Sequence, residues 1–209
     1  MAKAHFITLE GGEGAGKSTH ARALSEALNE RGIANIVTRE PGGSPGAEEI
    51  RSILVAGEPG RWDATTELLL MFAARADHIA RTIKPALASG QWVICDRFTD
   101  STYAYQGAGR GVPTDLIRKV EEAAVANFRP DLTLILDVPV DVAMTRIGDR
   151  THSENRFEKF DHGFHERLRD HFRKLAKDEP QRCLLIDTTA PAEQVSRDIW
   201  RAVAGKFGL

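Results

Sequence analysis

The residues whose types and spacing most directly imply chemistry are Gly11-Gly12-Glu13-Gly14-Ala15-Gly16-Lys17-Ser18, followed by Thr19. They fit G-x-x-x-x-G-K-[ST], the phosphate-binding loop. Glycines let successive backbone N–H groups converge on an anion, and a helix N-terminus adds partial positive charge. In this pattern the loop amides from Gly11 to Thr19 cradle phosphates and Lys17 reaches the β- and γ-phosphates. The Ser18 hydroxyl helps hold Mg²⁺. The plainer alternative is a glycine-rich turn carrying a surface lysine, and the flanks argue against it. Phe6-Ile7-Thr8-Leu9 is a β-prone run, and Thr19 to Arg31 puts Ala23, Leu24, Ala27 and Leu28 on one helical face. Gly32 stands where a helix C-terminal glycine belongs. The chain is expected to bind a nucleoside triphosphate.

The elements that must position this loop can be read along the chain. Ile33 to Val37 predicts a second strand, running into Thr38-Arg39-Glu40-Pro41-Gly42-Gly43, where proline and two glycines force a turn. Ala47 to Val55 predicts a short helix, and a long one starts near Thr65, capped by Thr65 or Thr66 with Glu67 in its first turn. Pro85 is expected to kink that helix before Gly90. Gln91 to Cys95 is a near-continuous apolar run, the signature of a parallel strand covered on both faces, and Asp96-Arg97 stands at its end. A helix from Pro113 to about Asn127, a strand over Leu132–Leu136 and a helix over Val140–Ile147 follow. A charged helix over Phe164–Ala176, a strand over Cys183–Ile186 and a last helix over Pro191–Ala204 complete the order. Strands alternating with helices predict one parallel sheet wrapped by helices.

Composition narrows the function. At 209 residues and 42% hydrophobic the chain suits one domain, 1–209. With 28 basic and 30 acidic residues, the net charge of −2 gives no global reason to bind nucleic acid or an anionic membrane. Cys95 and Cys183 lie in apolar runs and read as buried thiols rather than a disulfide framework. The N-terminal apolar run is too short for a signal peptide and no stretch approaches a membrane span, so a cytoplasmic protein is expected.

A phosphate loop serves phosphoryl transfer or a nucleotide-driven switch. Asn-Lys-x-Asp and Asp-x-x-Gly are missing from the places a GTPase switch needs them, whereas several arginine-bearing loops could handle a second anionic ligand. Glu10 to Thr19, Thr38 to Gly43 and Asp96-Arg97-Phe98 together resemble bacterial thymidylate kinases. Ser101-Thr102-Tyr103-Ala104-Tyr105-Gln106-Gly107 and Arg129-Pro130-Asp131-Leu132-Thr133-Leu134 extend the likeness, which runs from Phe6 to about Phe160. It implies an α/β P-loop NTPase fold: three layers, α/β/α, around a central parallel five-stranded sheet, with a mobile lid over about residues 146–160. It also implies transfer of the γ-phosphoryl of ATP to dTMP, forming dTDP and ADP, with Mg²⁺, in a homodimer.

Residue by residue, the resemblance implies that Asp96 holds Mg²⁺, against a capping or salt-bridging role. Arg97 clamps the dTMP phosphate, with Arg39 assisting or only bracing its loop. Glu13 meets the sugar 3′-hydroxyl. Gly14 stands where some members carry a catalytic arginine, which moves that duty to the lid and to Arg150 and Arg156, while Arg146 stacks on adenine. Asn155 replaces the Asp that commonly precedes this last lid arginine. Arg75 reads the thymine edge with Phe72 stacking on the ring, although many members place the aromatic where Met71 stands. Ser101, Thr102, Tyr105 and Gln106 form a loop over the nucleotide, Tyr105 crowding a ribose 2′-hydroxyl and Thr102 or Gln106 bonding the base. His152, His162, His165 and His171 read as a solvated polar face rather than a metal site.

Overall fold

The five apolar runs form strands β1 (Phe6–Glu10), β2 (Asn35–Arg39), β3 (Trp92–Asp96), β4 (Leu132–Asp137) and β5 (Cys183–Asp187). They come from a computed structural model that describes residues 3–126, 128–148 and 156–209. The strands are parallel, in the order β2-β3-β1-β4-β5. Every residue of β1 is buried, as the unbroken apolar reading of inner strands requires. The edge strands β2 and β5 are partly exposed, with Val37 and Leu185 facing outward. The register sets the functional ends level: Leu9 pairs with Asp96, and Asp96 with Arg39. Three strands therefore deliver their C-terminal residues to one rim, where open α/β sheets bind ligands.

Helices cover both faces. On one, α1 (Lys17–Asn29) and α9 (Ala192–Phe207) pack Leu24, Leu28, Val195, Ile199 and Val203 against Ile7, Leu9, Ile94 and Leu134. On the other lie α3 (Ala64–His78) and α6 (Thr114–Val125), with Phe6, Leu68, Phe72, Val93, Phe98 and Ile117 in a second cluster. A third cluster, including Leu54, Met71, Tyr105, Phe157, Phe164 and Leu168, joins α2 (Pro45–Val55) and α8 (His162–Asp178) beneath the rim. The chain also contains α4 (Lys84–Ala88), α5 (Thr99–Thr102) and α7 (Val140–Gly148). Among the described residues no helix is long and apolar enough to cross a membrane.

Local chemistry accounts for most boundaries, and corrects some expectations. The cap of α3 is Asp63, not a threonine: its carboxylate accepts from the amides of Thr65 (2.9 Å) and Thr66 (3.3 Å). The expected kink at Pro85 takes the form of a π-helical turn over Ile79–Ile83, ahead of α4. Pro85 lacks the N–H that would bond the Arg81 carbonyl and its ring crowds that carbonyl, so the helix widens there. Ser101 to Gly107, expected as a loop, is helical: α5 runs directly into a π-helical stretch over Tyr103–Gly109. Cys95 and Cys183 are buried free thiols, as read.

Candidate active site

A cleft of about 320 Å³ opens at the rim of the sheet, lined at one end by the phosphate loop and at the other by α3 and α5. Glu13, Gly14, Gly16, Lys17, Ser18 and Thr19 line the first end, while Gly11 and Gly12 border a smaller cavity behind the loop and Ala15 is fully buried in the core. Lys17 Nζ donates to the carbonyls of Gly11 (3.2 Å) and Gly12 (2.6 Å). Burial, and then the neighbouring Arg97 charge, press the Lys17 ammonium down to about 8. Gly14 has φ +72°, and a β-carbon there would meet the Ala143 carbonyl oxygen at 2.5 Å. An arginine at this position is therefore sterically excluded, not merely absent.

Arg97 occupies the centre of the cleft in the left-handed region, at φ 71°, a strained state for a non-glycine residue. Its Nη1 donates to Gly11 O at 2.9 Å and Ser101 Oγ at 3.3 Å, and the guanidinium lies 4.8 Å from the centre of the Tyr105 ring. Nη2 sits 2.8 Å from Glu13 Oε1, yet makes no hydrogen bond among the described residues. Burial alone would lower the Arg97 pKa, but Glu13 and the other acidic groups around it hold it above the ordinary value. Burial alone would raise Glu13. Arg97, Lys17 and the Tyr105 hydroxyl, which donates to Glu13 Oε1 at 3.0 Å, hold it down to about 2 instead. Glu10, fully buried under the loop, accepts from the Phe98 amide (2.7 Å) and Ser101 Oγ (2.5 Å) and so fixes the backbone that presents Arg97. Burial, and then Asp100, push its carboxyl up to about 8.

Ser18 Oγ donates to Asp96 Oδ2, and both residues line the cleft. Two hard oxygen donors held together at the phosphate end fit Mg²⁺, which retains waters and binds through one or two protein oxygens plus phosphate. Arg39 lines the cleft and pairs with Glu48 at 3.1 Å, so it does brace its loop. Arg51 on α2 was not foreseen. It also lines the cleft and donates to Pro41 O at 2.6 Å.

At the far end Arg75 is 2% exposed. Its Nε donates to Glu40 Oε2 (2.6 Å), Nη1 to Thr102 Oγ1 (3.1 Å) and Nη2 to Phe98 O (3.1 Å). Glu40 also contacts His78 Nδ1 at 3.0 Å, making a buried network that positions Arg75. Ser101, Thr102, Tyr105 and Gln106 line the same cleft. Gln106 Nε2 donates to Glu67 Oε1 at 2.8 Å.

Two expected residues do not line the cleft. Phe72 is 1% exposed in the second apolar cluster, its ring centre 4.8 Å from the Arg75 guanidinium, and Met71 lines the cleft instead. Residues 71 and 75 lie four apart and share a helical face, whereas residue 72 turns about 100° toward the sheet. Arg156 does not line the cleft either. It is fully buried, with Nε donating to Leu54 O at 3.0 Å and Nη2 to Glu67. Arg156 and Glu67 are both fully buried, and separating such a pair would strand an uncompensated charge, so Arg156 anchors its segment to α3. Arg150 and His152 lie outside the described residues. Arg146, at the end of α7, donates to Thr188 O at 2.8 Å beyond β5, outside the main cleft. His165 is buried, contrary to the solvated face expected of it, and His162 is exposed beside Asp141.

Glu40, Arg51, Glu67 and Arg110 were missed by the sequence reading. A signal did exist for Glu67: with Met71, Arg75 and His78 it continues one helical stripe of α3, so a charged residue there had to be buried.

Known proteins are similar to this chain. The family model for thymidylate kinase matches residues 9–199. The thymidylate kinase of Caulobacter vibrioides is 51% identical over 209 residues, covering 100% of both chains. That of Bradyrhizobium sp. (strain ORS 278) is 49% identical, covering 96% of this chain and 90% of its own. The crystal structure of thymidylate kinase from Ehrlichia chaffeensis superposes with a TM-score of 0.77 at 33% identity, covering 96% of this chain and 98% of that one. The likeness thus extends well beyond Phe160, through the last helix. The sheet, the phosphate loop and the full-length similarity agree on a P-loop NTPase fold, and the chain belongs to the thymidylate kinase family.

Proposed function

We propose that this chain transfers the γ-phosphoryl of ATP to dTMP, giving ADP and dTDP, and that the cleft residues divide the work. One observation carries the reading: a single cleft has a phosphate loop at one end, the buried donor Arg75 beside Gln106 at the other, and Arg97 where the two meet. The acceptor is a phosphate monoester with a second pKa of about 6, so its oxygen is already anionic at pH 7 and needs no general base. The barrier lies in bringing two polyanions together and stabilising a loose transition state.

Lys17 turns from the carbonyls of Gly11 and Gly12 to the donor phosphates. Arg97, whose Nη2 is ion-paired with Glu13 but makes no hydrogen bond among the described residues, holds the acceptor phosphate in line, and Arg39 and Arg51 add positive charge at the mouth. Ser18 and Asp96 would hold Mg²⁺, which when bound neutralises charge on the donor phosphates. Glu13, kept ionised by Arg97 and Lys17, accepts a hydrogen bond from the sugar 3′-hydroxyl. Tyr105 closes the space a ribose 2′-hydroxyl would need. Arg75 donates to the base edge, Met71 packs on the ring, and Thr102 and Gln106 complete the contacts. Arg146 stacks on adenine. Family membership supports a cytoplasmic enzyme working as a homodimer.

Steady-state turnover with ATP on dTMP, dUMP, UMP, CMP and AMP tests the reading. Preference for dTMP is expected, and equal or greater turnover of a ribonucleotide would contradict it.

A further inference from the structure

We infer that Glu67 determines which pyrimidines this cleft accepts, by fixing which end of the Gln106 amide faces the base. Glu67 on α3 is fully buried. Its Oε2 accepts from Arg110 Nη1 (2.8 Å) and Arg156 Nη2, and its Oε1 accepts from Gln106 Nε2 (2.8 Å). Between two guanidinium groups, which only donate, the carboxylate is an acceptor at both oxygens. It can therefore meet Gln106 only through the amide nitrogen. The two ends of a glutamine amide are nearly the same shape, so orientation is decided by partners, and here the partner leaves no choice.

The consequence falls on the cleft. Gln106 lines it, with one N–H of its amide engaged by Glu67 and the carbonyl oxygen, on the other side of the amide, left as its acceptor for a ligand. Arg75, tied to Thr102 one helical turn before Gln106, offers only donors. A base with an N3–H donor beside a 4-keto acceptor satisfies an acceptor and a donor placed side by side. Cytosine presents the inverse, a bare N3 and a 4-amino group, and would leave both protein groups facing like partners. Unpaired buried polar groups are the strongest route to discrimination. Glu67 touches no substrate and is a positioning residue. Its two arginines have their own ties, Arg110 Nη2 to Trp62 O (2.8 Å) and Arg156 Nε to Leu54 O, which hold the carboxylate in place.

This inference rests on the dTMP reading, and its test separates the two. The ratio of kcat/KM for dTMP over dCMP is measured for wild type, Glu67→Gln, Glu67→Asp and Arg110→Met, with melting temperatures recorded. Glu67→Gln lets residue 67 present either a donor or an acceptor. Glu67→Asp keeps the charge beside the arginines but withdraws the acceptor from Gln106, and it decides the matter if Glu67→Gln fails to fold. Either variant is expected to lower the ratio at least tenfold, mainly by gaining on dCMP. Arg110→Met keeps the Gln106 contact, so its ratio should stay at the wild-type value even if it melts earlier. A merely structural role would lower both activities and leave the ratio unchanged. An unchanged ratio in a folded, active Glu67 variant overturns the inference, whereas a wild type inactive on dTMP overturns the functional reading itself.

Discussion

Removing Arg75 should expose the buried network that positions it. Arg75 and Glu40 are 2% and 4% exposed, and their contact at 2.6 Å is supported by bonds to Thr102, Phe98 and His78. In Arg75→Met, the Glu40 carboxylate keeps only His78 among the described residues, and breaking a buried pair from one side costs roughly 3–5 kcal/mol. At roughly 2–4 °C per kcal/mol for a chain of this size, the melting temperature should fall by roughly 6–20 °C. Removing the second charge as well, in Arg75→Met/Glu40→Gln, should recover part of that loss, with a coupling of about 0.5–3 kcal/mol. Turnover of dTMP should not recover, because the base-facing donor is still missing. Thermal unfolding of the wild type, both single variants and the double variant gives the cycle, and steady-state kinetics below the transition gives the activity. A double variant whose loss equals the sum of the singles, or one whose dTMP turnover returns, would refute the network as described.

Three further outcomes follow from the geometry. Gly14→Ala forces a β-carbon against the Ala143 carbonyl at φ +72° and should cost roughly 1–3 kcal/mol; calorimetry should show weakened ATP binding, and wild-type affinity would refute the steric argument. Asp96→Asn should raise the Mg²⁺ concentration for half-maximal turnover roughly tenfold or more, and an unchanged Mg²⁺ dependence would remove Asp96 from the metal site. Glu13 binds its proton more weakly folded (about 2) than unfolded (4.5), so its contribution of about 3 kcal/mol is complete above pH 4.5 and disappears as pH falls toward 2. Urea unfolding should therefore show the gap between wild type and Glu13→Gln narrowing from pH 6 to pH 3, and a constant gap would refute the assignment.

The order of strands and helices was legible because inner parallel strands read as unbroken apolar runs, and because Gly32, Pro41 and Pro85 punctuate the chain. The phosphate loop was legible because its chemistry is local: backbone amides, one lysine and one hydroxyl must follow in sequence. What stayed hidden depends on contacts between distant residues. Arg156 reads as a free lid arginine until Glu67, 89 positions earlier, is seen to hold it. Phe72 and Met71 differ by one helical step, and only the packing of α3 against the sheet decides which meets the cleft. The helical stretch Thr99–Gly109 escaped notice because its glycines and short polar residues carry little helix propensity, and tertiary ties to Glu10 and Glu67 maintain it.

Whether one cleft joins a triphosphate donor to a thymidine monophosphate acceptor is tested most directly by incubating the protein with ATP, Mg²⁺ and dTMP and separating the nucleotides chromatographically. dTDP and ADP should form in equal amounts, with ADP release falling to background when dTMP is omitted. ADP release that ignores dTMP, or no dTDP at all, would contradict that role for the cleft.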